Sequence, residues 1–381
     1  MEEPKVFLSI RVAEEALKTA EKTFGANHPN VATSLNNLAE LYRATDRLKE
    51  AEPLYKRALE IYEASFGKDH PNVATALNNL ALLYQATNRL EEAEPLLKRV
   101  VEILENLGGE PLPNYASALN NLAELYKAAN RLEEAEPLME RALRIKEASF
   151  GKDHPDVAIS LNNLALLYHD TNRLEEAEPL MERALKIDEA SFGKDHPEVA
   201  TDLNNLAALY QDTNRLKEAE PLMERALKID EASLGKDHPN VAMALNNLAA
   251  LYLKTNRLEE AEPLMKRALK IDEVSYGKDH PNVATGLNNL AQLYQDTDRL
   301  EEAEPLIERA LKIDEASFGK DHPDVARGLI NLALLYWATD RLKEAEPLYR
   351  RGLKILETSL GPDHPQTRLV SENLEALLQD L

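Results

Sequence analysis

The chain contains no cysteine, which excludes disulfides and thiolate metal sites. Long apolar runs are also missing: no stretch approaches the ~18 consecutive apolar residues of a membrane span. The opening residues, MEEPKVFLSIRVAEEALKTAEKTFG, carry early acids and only a short apolar run, unlike a secretory leader. The expectation is a cytoplasmic chain with no membrane partner. Basic residues are comparatively scarce, 45 Lys and Arg against 67 Asp and Glu, for a formal net charge of −22. That balance weighs against nucleic acid as a partner. It suits a basic or neutral partner, or solubility alone. The glycine and histidine signatures of phosphate loops, dinucleotide folds, nucleophile elbows and zinc proteases are absent too. With no non-repeat segment to house a catalytic pocket, the expectation is a non-enzyme with no cofactor and no metal.

What the sequence does have is a period. Prolines stand at 29, 71, 113, 155, 197, 239, 281, 323 and 365, always 42 residues apart. A fixed period of this size signals stacked structural repeats. In the unit from Pro71, Leu77, Leu80, Ala81 and Tyr84 recur at i, i+3, i+4, i+7, one apolar face of a helix. Pro71 suits the first turn, and Asp69 or His70 suits the cap. Asn88 marks a turn, and a second helix begins near Arg89 with Leu90, Ala93, Leu96, Leu97 and Val100 on its apolar face. Gly67, Gly151 and Gly193 fit the positive-φ position after a helix. Eight complete pairs span 29–364, with an opening helix at 8–25 and a closing helix at 365–380. There Ser371 and Glu372 replace the usual Leu and Asn, as a polar cap requires. The predicted fold is all-α: one right-handed α-solenoid of stacked antiparallel helix pairs, residues 1–381.

Three features interrupt the pattern. Pro53, Pro95 and their equivalents lie about six residues into each second helix, predicting either a kink or a first turn separate from the main helix. Eight of the nine histidines, His28 to His364, precede the period proline; one per repeat cannot gather the ligands zinc requires, so capping or packing is expected. The third unit enters through LGGEPLP (107–113) where others have FGKDHP, predicting a different loop. The acids of RLEEAEP, such as Glu91, Glu92 and Glu94, read as solvated helix faces with i, i+4 pairs.

DHPxVAxxLNNLAxLY and RLEEAEPLxxRALxI together resemble the tetratricopeptide repeat, and more closely its 42-residue form in kinesin light chains and related bacterial proteins. The general pattern is met by Leu77, Leu80, Ala81 and Tyr84, then Ala93, Leu97 and Val100. Asn88 stands where the family usually has glycine. The N-terminal coiled coil of kinesin light chains has no counterpart here. The resemblance covers almost the whole chain and implies a scaffold for protein partners, with first helices lining an inner surface.

Two adjacent asparagines in each first helix are poor helix formers, and call for a reason. With Leu77 at 0°, Asn78 falls at about 100° and Asn79 at about 200°, both off the main seam. The first series is Asn78, Asn120, Asn162, Asn204, Asn246 and Asn288, with Asn36 before them. The second is Asn37, Asn79, Asn121, Asn163, Asn205, Asn247, Asn289 and Asn331, and Ile330 breaks the first in unit eight. Packed helices lie about 10 Å apart and an extended peptide rises about 3.3 Å per residue, so one unit meets about three peptide residues. A ladder of amides, each donor and acceptor, would hold a peptide backbone whatever its sequence. The resemblance implies the same, with the Asn79 series matching the family's peptide-contacting position best. The competing reading is a bond to the next repeat.

Specificity is expected from variable positions: Arg43, Lys127, His169, Gln211, Leu253, Gln295 and Trp337 in one series, and Arg327 with Trp337 as a site near the C-terminal end. Trp337 serves equally well as local packing. The predicted function is a scaffold binding an extended peptide. The alternatives are an assembly module, or the recognition part of a larger protein.

Overall fold

The computed structural model describes residues 3–45, 47–107 and 113–381, with side chains from Ser9 onward. The divergent link of the third unit, 108–112, lies outside the described residues. Eighteen helices and no strand are found among those residues. Their packing divides the chain into two compact units, Met1–Gly193 and Lys194–Leu381.

The first unit opens with α1 (Glu3–Phe24), which starts earlier than the sequence predicts. Four pairs follow: α2 (Pro29–Ala44) with α3 (Leu48–Phe66), α4 (Pro71–Ala86) with α5 (Leu90–Asn106), α6 (Pro113–Ala128) with α7 (Leu132–Phe150), and α8 (Pro155–Asp170) with α9 (Leu174–Phe192). The second unit holds α10 (Pro197–Asp212) with α11 (Leu216–Leu234), α12 (Pro239–Lys254) with α13 (Leu258–Tyr276), α14 (Pro281–Asp296) with α15 (Leu300–Phe318), and α16 (Pro323–Ala338) with α17 (Leu342–Leu360). It closes with α18 (Pro365–Asp380). Within each unit, a second helix packs on its own first helix and on the first helix of the next pair. An isolated pair would leave the face toward the next pair unburied.

Local chemistry fixes the helix ends. His70, with extended backbone (φ −82°, ψ 145°), accepts the Asn72 N–H at Nδ1, 3.1 Å away. Its ring also stacks on Phe66 at 4.4 Å. Histidine, rather than Asp69, is therefore the cap, and it works in all eight units that have it. At the other end, Thr87 Oγ1 donates to the carbonyls of Leu83 (3.0 Å) and Tyr84 (3.1 Å). Asn88 then turns the chain at φ 55°, as predicted, and Arg89 N–H returns to the Tyr84 carbonyl at 2.8 Å.

The apolar faces are buried as their spacing predicts: Leu77, Leu80, Ala81 and Tyr84 are at most 5% exposed, and Ala93, Leu97, Val100 and Ile103 lie opposite. Each second helix runs unbroken through its proline, so no separate first turn exists. Pro95 leaves the carbonyl of Glu91 without its helical N–H. Glu91 is exposed, and water can take that bond.

The acids of RLEEAEP are more than solvated faces. Arg131 donates to Glu134 in its own helix (2.6 and 2.8 Å) and through Nη1 to Glu94 of the preceding pair (2.7 Å). Its guanidinium also lies 4.2 Å over the Tyr126 ring. Arg89, Arg173, Arg299 and Arg341 repeat this joint. The pairs thus span 37 residues, a separation that helical periodicity alone does not reveal. A second arginine series ties the opposite ends: Arg99 reaches Glu63 at 2.6 Å and the Lys68 carbonyl at 2.8 Å.

Candidate functional site

Because each second helix supports two successive first helices, a slot opens between those first helices, with the second helix as its floor. Among the described residues, cavities lie in such slots within both units. In the first unit, a cavity of about 260 Å³ lies between α4 and α6, with Asn78 on one wall, Asn121 on the other, and Val100 and Leu104 beneath. In the second unit, a cavity of about 340 Å³ lies between α12 and α14: Met243, Asn246 and Asn247 face Thr285, Gly286 and Asn289 across Asp272 and Tyr276. Another of about 340 Å³ lies between α16 and α18, where Arg327, Ile330 and Asn331 face Leu369 over Leu356 and Leu360. Volumes near 300 Å³ stand at the small end for ligand sites.

The two asparagine series have different environments. Asn120 is buried, and Asn78, Asn162, Asn204, Asn246 and Asn288 are half-buried. The side-chain oxygens of Asn36, Asn120, Asn204 and Asn288 are buried with no hydrogen-bond partner. In the second series Asn37, Asn247 and Asn289 are exposed, whereas Asn79, Asn121, Asn163, Asn205 and Asn331 are half-buried. Asn121 Nδ2 donates to Asn78 Oδ1 at 2.8 Å, an inter-repeat bond. The equivalent pair in the second unit, Asn246 and Asn289, faces the cavity without that bond.

The variable positions sort differently. Arg327 lines a cavity wall and pairs with Asp324 at 3.1 Å. Trp337 stands ten residues further along α16, about 15 Å away. Its Nε1 donates to Asp380 at 3.1 Å and its ring meets Tyr349 edge-on at 6.3 Å. The two do not share a site, and Trp337 packs locally. Arg43 pairs with Glu40 and Lys127 with Asp170 at 2.8 Å. Gln211 accepts from Lys254 at 3.1 Å. His169, Leu253 and Gln295 are half-buried near the C-terminal ends of their helices, away from the three cavities. The capping histidines are engaged one per helix, and among the described residues no group of three His, Cys, Asp or Glu is placed to hold a metal ion.

One series escaped the sequence reading: Tyr62, Leu104, Lys146, Asp188, Asp230, Asp272, Asp314 and Leu356, each 42 residues from the next, of which Leu104, Asp272 and Leu356 form cavity floors. Its charged members are at most 7% exposed. The signal was an ionisable residue four positions after a buried alanine, as in Ala268 and Asp272. Burial pushes the carboxyls of Asp230 and Asp272 up, and that of Asp314 up to about 6 against the opposing pull of Arg327. Burial pushes the Lys146 ammonium down.

Comparison with known proteins agrees with this architecture. The sequence profile of the tetratricopeptide repeat matches residues 6–64, 36–106, 114–190, 161–232, 203–273, 241–316 and 282–358. No curated protein matches the chain. Among solved structures, BtubC (BKLC) from P. vanneervenii is 26% identical, with a TM-score of 0.52, over 61% of this chain and 92% of that one. A putative kinesin light chain with nearly identical TPR-like repeats from Podosopora anserina is 27% identical, with a TM-score of 0.48, over 54% and 98%. The apo quorum sensor NprR from B. thuringiensis is 15% identical, with a TM-score of 0.65, over 93% and 100%.

Proposed function

The chain belongs to the tetratricopeptide repeat family, and on that premise we propose that it is a protein-interaction scaffold whose slots between successive first helices hold an extended peptide segment of a partner. The observation that carries this reading is the recurrence of one cavity type with asparagine amides on its walls: Asn78 and Asn121 in one, Asn246, Asn247 and Asn289 in another, Asn331 in a third. Amides there meet a peptide backbone as donors and acceptors, and the changing floor supplies side-chain preference. The same groove would serve if the chain were the recognition part of a larger protein.

A random-peptide display selection on the purified chain tests this reading. A shared enriched motif is the expected result. Failure to enrich any motif on folded protein overturns it, and favours assembly through folded surfaces. That second reading draws support from the Asn121–Asn78 bond, which turns two ladder amides toward each other.

A further inference from the structure

We infer that the slot over Asp272 takes a lysine or arginine side chain from the bound segment; this deepens the peptide-binding reading and rests on it. Asp272 is 7% exposed and lies in the lining of the cavity between α12 and α14. It has no hydrogen bond or ion pair among the described residues. A buried carboxylate without a counter-charge is costly, and gains most from a cation that arrives with donors. No lysine or arginine lines that cavity. His280 exerts an attractive pull on it, and its Nδ1 accepts the Asn282 N–H at 3.1 Å.

The next slot shows how the chain itself answers the same problem. Asp314 occupies the equivalent floor position, and Arg327 exerts an attractive pull on it from the following first helix. The residue equivalent to Arg327 over Asp272 is Thr285, 42 positions earlier, a short neutral side chain in the cavity wall. One slot therefore has an internal guanidinium near its carboxylate. The other has the carboxylate, a cavity of about 340 Å³ and three ladder amides, Asn246, Asn247 and Asn289, on its walls. The formal charge of −22 favours the approach of a basic segment.

The test runs the same display selection on three full-length proteins: wild type, Asp272→Asn and Thr285→Arg. Thermal melting confirms that each is folded. Wild type is expected to enrich peptides with Lys or Arg in one fixed register. Asp272→Asn is expected to lose that preference while keeping the rest of the motif. Thr285→Arg, which places a guanidinium where Arg327 stands in the next slot, is expected to do the same. A wild-type peptide titrated into Asp272→Asn is expected to bind roughly tenfold to a hundredfold more weakly, and replacing its basic residue by norleucine should give a similar loss in wild type. A motif without a basic residue, or a Lys or Arg preference that survives Asp272→Asn, overturns the cation slot and leaves the groove intact. No enrichment by wild type overturns the groove and the slot together.

Discussion

Asn121 donates through its side-chain nitrogen to the side-chain oxygen of Asn78, 2.8 Å away and one repeat earlier. The two residues belong to different series, so a first helix that carries both asparagines can offer one amide forward and one back. A closed pair braces the stack; an open pair, such as Asn246 and Asn289, leaves both amides to the cavity.

That difference separates stability from binding. Asn121→Ala is expected to destabilise the chain by about 1 kcal/mol, the net worth of one hydrogen bond with its partner left half-buried. Asn247→Ala, at an exposed position, is expected to change stability by less than about 0.5 kcal/mol and to weaken binding of a display-selected peptide several-fold. Denaturant melts and titrations of both variants check this. The reverse ranking would make Asn247 a packing residue.

The inter-repeat joint predicts acid sensitivity. Arg299, and after it Lys266, hold the Glu262 carboxyl down at about 2, from an ordinary 4.5. The folded chain then binds fewer protons than the unfolded chain between those values, so this stabilisation is present above pH 4.5 and is lost as pH falls toward 2. Glu262→Gln is expected to cost about 1 kcal/mol at pH 7, allowing for solvent around the partly exposed arginine. The gap to wild type should close in melts taken below pH 4. A constant gap across that range would mean the glutamate contributes through packing.

Asp314 carries the opposite sign. Burial raises its carboxyl to about 6 from 3.8, with Arg327 and His322 opposing the rise and Asp324 adding to it. The folded chain holds a proton that the unfolded chain has released between pH 3.8 and 6, so stability falls as pH rises through that window. Asp314→Asn is expected to stabilise the chain by about 1–2 kcal/mol at pH 7.5, with the benefit vanishing near pH 4. Destabilisation at pH 7.5 would show that the Arg327 interaction outweighs the burial of the charge.

Much of the fold was legible because its causes are local. The period proline, the turn residue Asn88 and the spacing of Leu77, Leu80, Ala81 and Tyr84 each act within one helix or turn. The cap was only half legible: Asp69 is the more usual capping type, and the stack of His70 on Phe66 depends on the preceding helix. The role of Glu94 was hidden because its partner, Arg131, lies 37 residues away across a repeat boundary. The slot floor was hidden for a different reason. The asparagines show what the first helices present, whereas Asp272 reaches the same space from the second helix. A residue-by-residue comparison of KIDEA with IYEA and ILEN would have shown charge entering a buried column.

The joint made by Arg131 has a consequence for how such a chain changes length. Within each unit, the arginine joints described link a pair to its immediate neighbour, and the cavities are walled by two consecutive first helices. Duplicating one 42-residue unit therefore adds one complete joint and one complete slot without disturbing the chemistry of the others. On the proposed peptide-binding role, the segment held would grow by about three residues, from the ~10 Å spacing of packed helices and the ~3.3 Å rise of an extended chain. Substituting one floor residue would change what is preferred at a single place in it.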